Sequence, residues 1–236
     1  RPQSALDRSK LGQPRLALAS AKRELLLMGE TVEHMFAPIM DMLARSDPAR
    51  KALLLHLEAE LNRRHSDVKL FVAELSRGQL SADEARRGID LTDFSINLEH
   101  AGDIVAKTLL PLTEDKHRRN LRFSDEGWAE IRQLHDRVSA NLQLALNVLV
   151  SGDTASAYQL MREKETLRAL ERESHDQHLG RLQLGNAESL ATSNLHLEVV
   201  RAFKEINSLI VTVSHPILAE QGLIRESRLA GMEQAG

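Results

Sequence analysis

Apolar residues recur every third or fourth position along almost the whole chain, the spacing of amphipathic helices rather than strands. The first stripe, Leu18, Leu25, Met28, Val32, Met35, Ile39 and Leu43, predicts a helix over Pro14 to Ala44. Pro38 lies inside it and removes a backbone donor, so a kink is expected near His34 to Phe36. Asp47-Pro48 reads as a cap and first-turn proline, and the stripe Leu54, Leu57, Leu61, Val68, Phe71, Leu75 carries helix two to Gly78. Ser81 and Glu84 form a capping box opening helix three, whose pattern Ile89, Phe94, Ile96, Leu98, Ile104, Val105, Leu109 is expected to end before Pro111. Helix four starts at the cap Ser124 and runs to Gly152, helix five from the cap Asp153 through Leu184, and helix six from Glu188 to Ser214, before Pro216.

The helices come as two sets of three. Shifting the chain by 105 or 106 residues lays Asp47 on Asp153, Leu98 on Phe203, Glu99 on Lys204, Gly102 on Asn207, Asp103 on Ser208 and Pro111 on Pro216. The expected architecture is therefore all-α, six long helices as two tandem antiparallel three-helix bundles. Residues 14–112 form the first repeat, 113–123 a charged linker, 124–218 the second repeat, and 219–236 a frayed tail.

Composition agrees with this. Aromatic residues make up 3% of the 236, and the net charge is -3, which gives no electrostatic reason to expect nucleic acid. No cysteine is present, which excludes disulfides and thiolate metal sites. No apolar run approaches the ~18 residues of a membrane span. The start at Arg1-Pro2, without an initiator methionine, is what an excised domain or processed product would show.

The most pointed chemistry lies on helix three. Glu99 and Asp103 share one face, one turn apart, with Gly102 expected to leave the backbone beside them uncovered. They could ligate a divalent or transition metal such as iron, zinc or magnesium, given further ligands from neighbouring helices. The plainer alternative is a surface pair in which Asp103 bonds Lys107 at i+4. His175 and His178, at i and i+3, are a second candidate metal pair, although such histidines usually bond carboxylates such as Glu171 or Asp176; Glu30 and His34 carry the same ambiguity. Arg172, Arg181 and Arg201 could bind phosphate through their guanidinium groups. A di-iron bundle enzyme would need Glu-x-x-His on two core helices, and the only match, Glu114 to His117, falls in the linker. No phosphate-cradling glycine loop or nucleophile constellation appears, so no enzyme is expected.

The tandem of three-helix units with Glu99-His100-Ala101-Gly102-Asp103-Ile104 on the third helix resembles the PhoU family of phosphate-responsive regulators. The second repeat, Phe203-Lys204-Glu205-Ile206-Asn207-Ser208 leading to His215-Pro216, is similar to the variant in the cytosolic, C-terminal PhoU-like domain of bacterial sodium/phosphate cotransporters. Asn97-Leu98-Glu99-His100 and the lead-in Leu6-Asp7 resemble the same subgroup. That resemblance implies a regulatory domain at the cytoplasmic face of the inner membrane, docking through helix faces on a membrane transporter portion of the same chain, with a homodimer as a further partner. It also implies metal on third-helix carboxylates, which carries over here only to Glu99 and Asp103. A free-standing PhoU-type regulator acting in trans on a transporter or sensor kinase is the alternative.

Overall fold

The computed structural model describes residues 3–185 and 187–222, and every regular element among them is helical. Six long helices carry the fold: α1 (Pro14–Phe36), α3 (Pro48–Leu75), α4 (Ala82–Ile104), α6 (Asp125–Ser151), α7 (Thr154–Gln183) and α8 (Ala187–Ile210). Three short ones, α2 (Ile39–Ala44), α5 (Leu110–Arg118) and α9 (Ser214–Glu220), extend the first and third helices of the repeats.

The caps form where the sequence places them. Asp47 accepts from Arg50 N at 3.0 Å, Asp153 from Ser156 N at 2.9 Å, and Ser81 and Glu84 exchange both bonds of the capping box. Gly152 closes α6 with φ +64°, a conformation that suits glycine.

Two boundaries differ from expectation, both at prolines. The first helix breaks at Ala37–Pro38 instead of kinking one turn earlier. Beyond the break, His135 Nε2 reaches the Phe36 carbonyl at 2.9 Å, and His117 Nε2 the Met42 carbonyl at 2.7 Å, so side chains satisfy acceptors at the C-terminal ends of α1 and α2. The third helix does not stop before Pro111. Val105–Leu109 widen into a π turn, which absorbs the missing proline donor, and the chain continues as α5 to Arg118. Much of the expected linker is thus packed helix: Lys116 is buried with its ammonium 5.8 Å from the Phe123 ring. The second repeat makes the same break with a 3-10 turn, Val211–Val213, before Pro216. Of the expected tail, Ala219 and Glu220 belong to α9, and 223–236 lie outside the described residues.

Helices α1, α3 and α4 pack mutually, as do α6, α7 and α8, and the two sets meet along α1–α6 and α4–α8. One contiguous apolar core runs from Leu25 in the first set to Leu218 in the second. At the seam a Cβ built on Gly29 of α1 would lie 2.1 Å from Leu146 Cδ2 of α6, so only a bare backbone lets these helices approach. Beside it Phe36 stacks on His135 at 4.2 Å and meets Phe203 edge-on at 5.3 Å.

The repeat is also written in buried charge. Glu24 of α1 and Glu130 of α6, 106 positions apart, each hold an arginine of the next long helix: Arg64 at 2.7 Å and Arg181 at 2.6 Å. Glu24 additionally accepts from Ala5 N at 2.6 Å, and Asp7 N donates to Ser20 Oγ at 3.2 Å, which ties the segment before α1 onto the bundle.

Candidate functional site

Helix α4 does put Glu99 and Asp103 on one face, but the intervening backbone is covered. Gly102 is buried, and a Cβ there would lie 2.3 Å from Leu61 Cδ2, so this glycine serves close packing of α4 on α3. That packing brings in a carboxylate that periodicity did not indicate, Glu58 of α3. Lys107 Nζ lies 3.1 Å from Asp103 Oδ1 and 3.7 Å from Glu58 Oε1. The Asp103 contact is an ion pair without the alignment of a hydrogen bond, and Oδ1 has no other donor. Burial and the neighbouring Asp103 raise the Glu99 pKa, and the Asp103 carboxylate raises that of Lys107. Among the described residues no group of three or more His, Cys, Asp and Glu side chains is arranged to hold a metal ion. With an ammonium already among them, Glu99 and Asp103 do not fit a metal centre.

In the second repeat Lys204 Nζ sits 2.9 Å from Glu171 Oε2 of α7, and Asn207 accepts from Asn141 of α6 at 2.8 Å inside the core. His175 and His178 are not brought together: His175 is exposed, while His178 is buried and stacks on His196 of α8 at 4.8 Å with the rings 2° from parallel. Stacked rings present faces, not converging nitrogens, so this pair also fails as a metal clamp. Of the candidate phosphate ligands, Arg181 is engaged by Glu130 through both nitrogens, at 2.6 and 3.1 Å, and Arg172 and Arg201 are exposed on separate helices. Glu30 is half-buried and His34 exposed on α1. Glu114 pairs with Lys51 at 3.1 Å.

The buried cluster around His196 carries a pH prediction. Ser174 Oγ donates to Glu130 at 2.9 Å and lies 3.2 Å from His196 Nε2. Burial, reinforced by His178 and Arg181 and opposed by Glu130, pushes the His196 pKa down to about 4 from 6.5. Burial also lowers His135 and His178. Below pH ~6.5 the unfolded chain takes up protons that these native histidines refuse, so stability falls as pH drops toward about 4. Urea unfolding at pH 7.5 and 5 is expected to show a loss of about 2 kcal/mol from His196, and a His196→Gln variant a correspondingly flatter dependence. Equal pH dependence in the two proteins would refute this.

A cleft of about 1550 Å³ lies between the repeats, lined by α1, α4, the α6–α7 corner and α9. Its floor is apolar, with Leu18, Phe94, Leu149 and Ile217, and Asn97 Nδ2 donates to Thr212 Oγ1 across it at 2.8 Å. The α1 side carries Arg15, Lys22 and Arg23, all exposed, and none within ion-pair distance of a carboxylate among the described residues. The α4 and α9 sides carry Asp90, Asp93 and Glu220; burial and the latter two carboxylates raise the Asp90 pKa. These residues, distributed over four elements, have no common signature in the sequence.

Two three-helix repeats with a shared core, each with its third helix interrupted just before a proline, define an all-helical tandem-repeat bundle, and the comparisons agree on the fold. Residues 25–109 match the PhoU domain family. The chain overlays PhoU from Pseudomonas aeruginosa with a TM-score of 0.73 at 18% identity, covering 89% of this chain and 97% of that one. It overlays the phosphate transport system regulatory protein PhoU from Streptococcus pneumoniae with a TM-score of 0.75 at 16% identity, covering 87% and 95%. Among curated relatives, the putative inorganic phosphate export protein YjbB of Salmonella typhimurium is 34% identical over 215 residues, and that of Escherichia coli K12 is 33% identical. The match takes in 91% of this chain and 39% of each relative, so the chain spans about two fifths of their length.

One expectation is corrected. A membrane transporter portion of the same chain, expected as docking partner, is not found among the described residues: no described helix is long and apolar enough to cross a membrane, and the described fold is that of PhoU.

Proposed function

We propose that this chain is a non-enzymatic regulator of inorganic phosphate transport that acts in trans, from the cytoplasmic side, by receiving a helical segment of a phosphate-transport protein in the cleft between its repeats. The observation that carries this reading is the cleft itself. Its volume exceeds the ~300–1,000 Å³ of small-ligand pockets, and unneutralised cations on one wall oppose carboxylates on the other across an apolar floor. An amphipathic helix with acidic residues toward α1 and basic residues toward α4 and α9 is complementary to it. The names of the curated relatives and of the structural neighbours supply the phosphate-transport context.

The test is to express the chain as a separate polypeptide in cells lacking their own copy and follow efflux of radiolabelled phosphate. The chain is expected to alter the efflux rate, and the Arg15→Glu/Lys22→Glu/Arg23→Glu variant to return it to the level of cells without the chain. Those side chains are solvent-facing, so the variant is expected to keep its helix content and urea midpoint. Unchanged efflux with the parent chain, or full effect from the triple variant, would overturn the reading.

A further inference from the structure

In each repeat a lysine on or just after the third long helix sets its ammonium against a carboxylate, but the carboxylates differ: Asp103 and Glu58 in the first repeat, Glu171 of α7 in the second. In the first repeat Lys107, in the wide turn after α4, pairs with Asp103 of α4 and Glu58 of α3, and Glu99 neighbours Asp103. The three acids are half-buried while Lys107 is well exposed, which puts its ammonium on the solvent side of the cluster. In the second repeat the position equivalent to Lys107 is Thr212, which bonds Asn97 instead, and the position equivalent to Glu99 is Lys204, which pairs directly with Glu171 at 2.9 Å. The cation thus comes from different registers in the two repeats and reaches the α3–α4 pair in one and the α7–α8 pair in the other.

We propose that the Lys107 and Lys204 ammonium groups stand in place of bound cations on the two third helices, so that the fold carries its own counter-ions and needs no divalent metal. An ammonium supplies one positive charge and three donors without a fixed coordination geometry. It therefore suits two or three carboxylates that cannot complete the six or more oxygen ligands a hard divalent ion prefers. It also repels an incoming divalent ion from the Asp103 oxygen that is otherwise without a donor.

The experiment uses the full chain stripped with chelator and titrated with Mn²⁺, followed by electron paramagnetic resonance, with metal analysis of the protein before stripping. The parent is expected to be isolated without stoichiometric metal and to melt at the same temperature with and without chelator. Lys107→Met is expected to bind Mn²⁺ about tenfold more tightly than the parent. Lys107→Arg, which keeps the charge, is expected to show no gain. Glu99→Gln/Asp103→Asn in the Lys107→Met background is expected to abolish it. Stoichiometric metal in the parent, a chelator-dependent drop in its melting temperature, or Mn²⁺ affinity unchanged by Lys107→Met would each overturn the proposal.

Discussion

Arg64→Met is expected to destabilise the fold by about 3–5 kcal/mol, because it leaves a carboxylate in the core with no cation. Glu24 is 0% exposed, and Arg64 Nη1 meets its Oε1 at 2.7 Å while Arg64 Nε holds Glu60 at 3.0 Å. The two carboxylates outweigh the effect of burial and raise the arginine's pKa, so the guanidinium stays charged throughout the accessible range. Methionine matches the stem but not the charge. Glu60 keeps a small exposed fraction, whereas Glu24 has none and keeps only the Ala5 amide as donor. Glu24→Gln/Arg64→Met is therefore expected to recover much of the loss, since the glutamine oxygen still accepts from Ala5 and the fully buried carboxylate is gone, leaving only Glu60, which keeps some exposure. With a urea slope of about 2–3 kcal/mol/M, the single variant shifts the midpoint by ~1–2 M. A shift below a few tenths, or a double variant no better than the single, would show that Glu24 is hydrated in solution.

Helix identity was legible because local chemistry and periodicity agree at each start: Asp47, Ser81, Ser124 and Asp153 all cap where the apolar stripe begins. The reading failed where a proline was taken as a stop. A π turn needs only one inserted residue to pass Pro111, and nothing in Val105–Leu109 announces it. The repeat was visible through punctuation and the apolar face, yet its buried polar chemistry was not. Glu24 and Glu130 obey the 106-residue shift, while their partners Arg64 and Arg181 lie 117 positions apart, so alignment at a fixed shift hides the correspondence. On the candidate site, the Asp103–Lys107 contact at i+4 follows from helix geometry alone, whereas Glu58 reaches the cluster only through the packing of α3 on α4 at Gly102. The cleft belongs to the same category: its walls come from segments more than 100 residues apart.

Phe203→Ala is expected to cost about 3–5 kcal/mol and to act on both repeats together. Phe203 is fully buried on α8, edge-on to Phe36 of α1 at 5.3 Å and to His135 of α6 at 5.6 Å. Truncation leaves a void that neither ring can fill by sliding, because Phe36 sits at the end of α1 and His135 is held by the Phe36 carbonyl at 2.9 Å. The sequence divides into two three-helix units, but the apolar core runs through both without a break. Trp128, the only tryptophan, reports on the second unit, and far-UV circular dichroism on all helices. If the seam makes the fold cooperative, the two signals coincide in the parent protein and move together to lower urea in Phe203→Ala. A tryptophan transition separated from the helical one in the parent would mean that the repeats unfold independently, and a shift below about 1 kcal/mol in the variant would remove the aromatic joint as their coupling. The size of the effect follows from where Phe203 stands: it pairs in the repeat with Leu98, equally buried on α4, but only Phe203 has aromatic partners on two helices of opposite repeats.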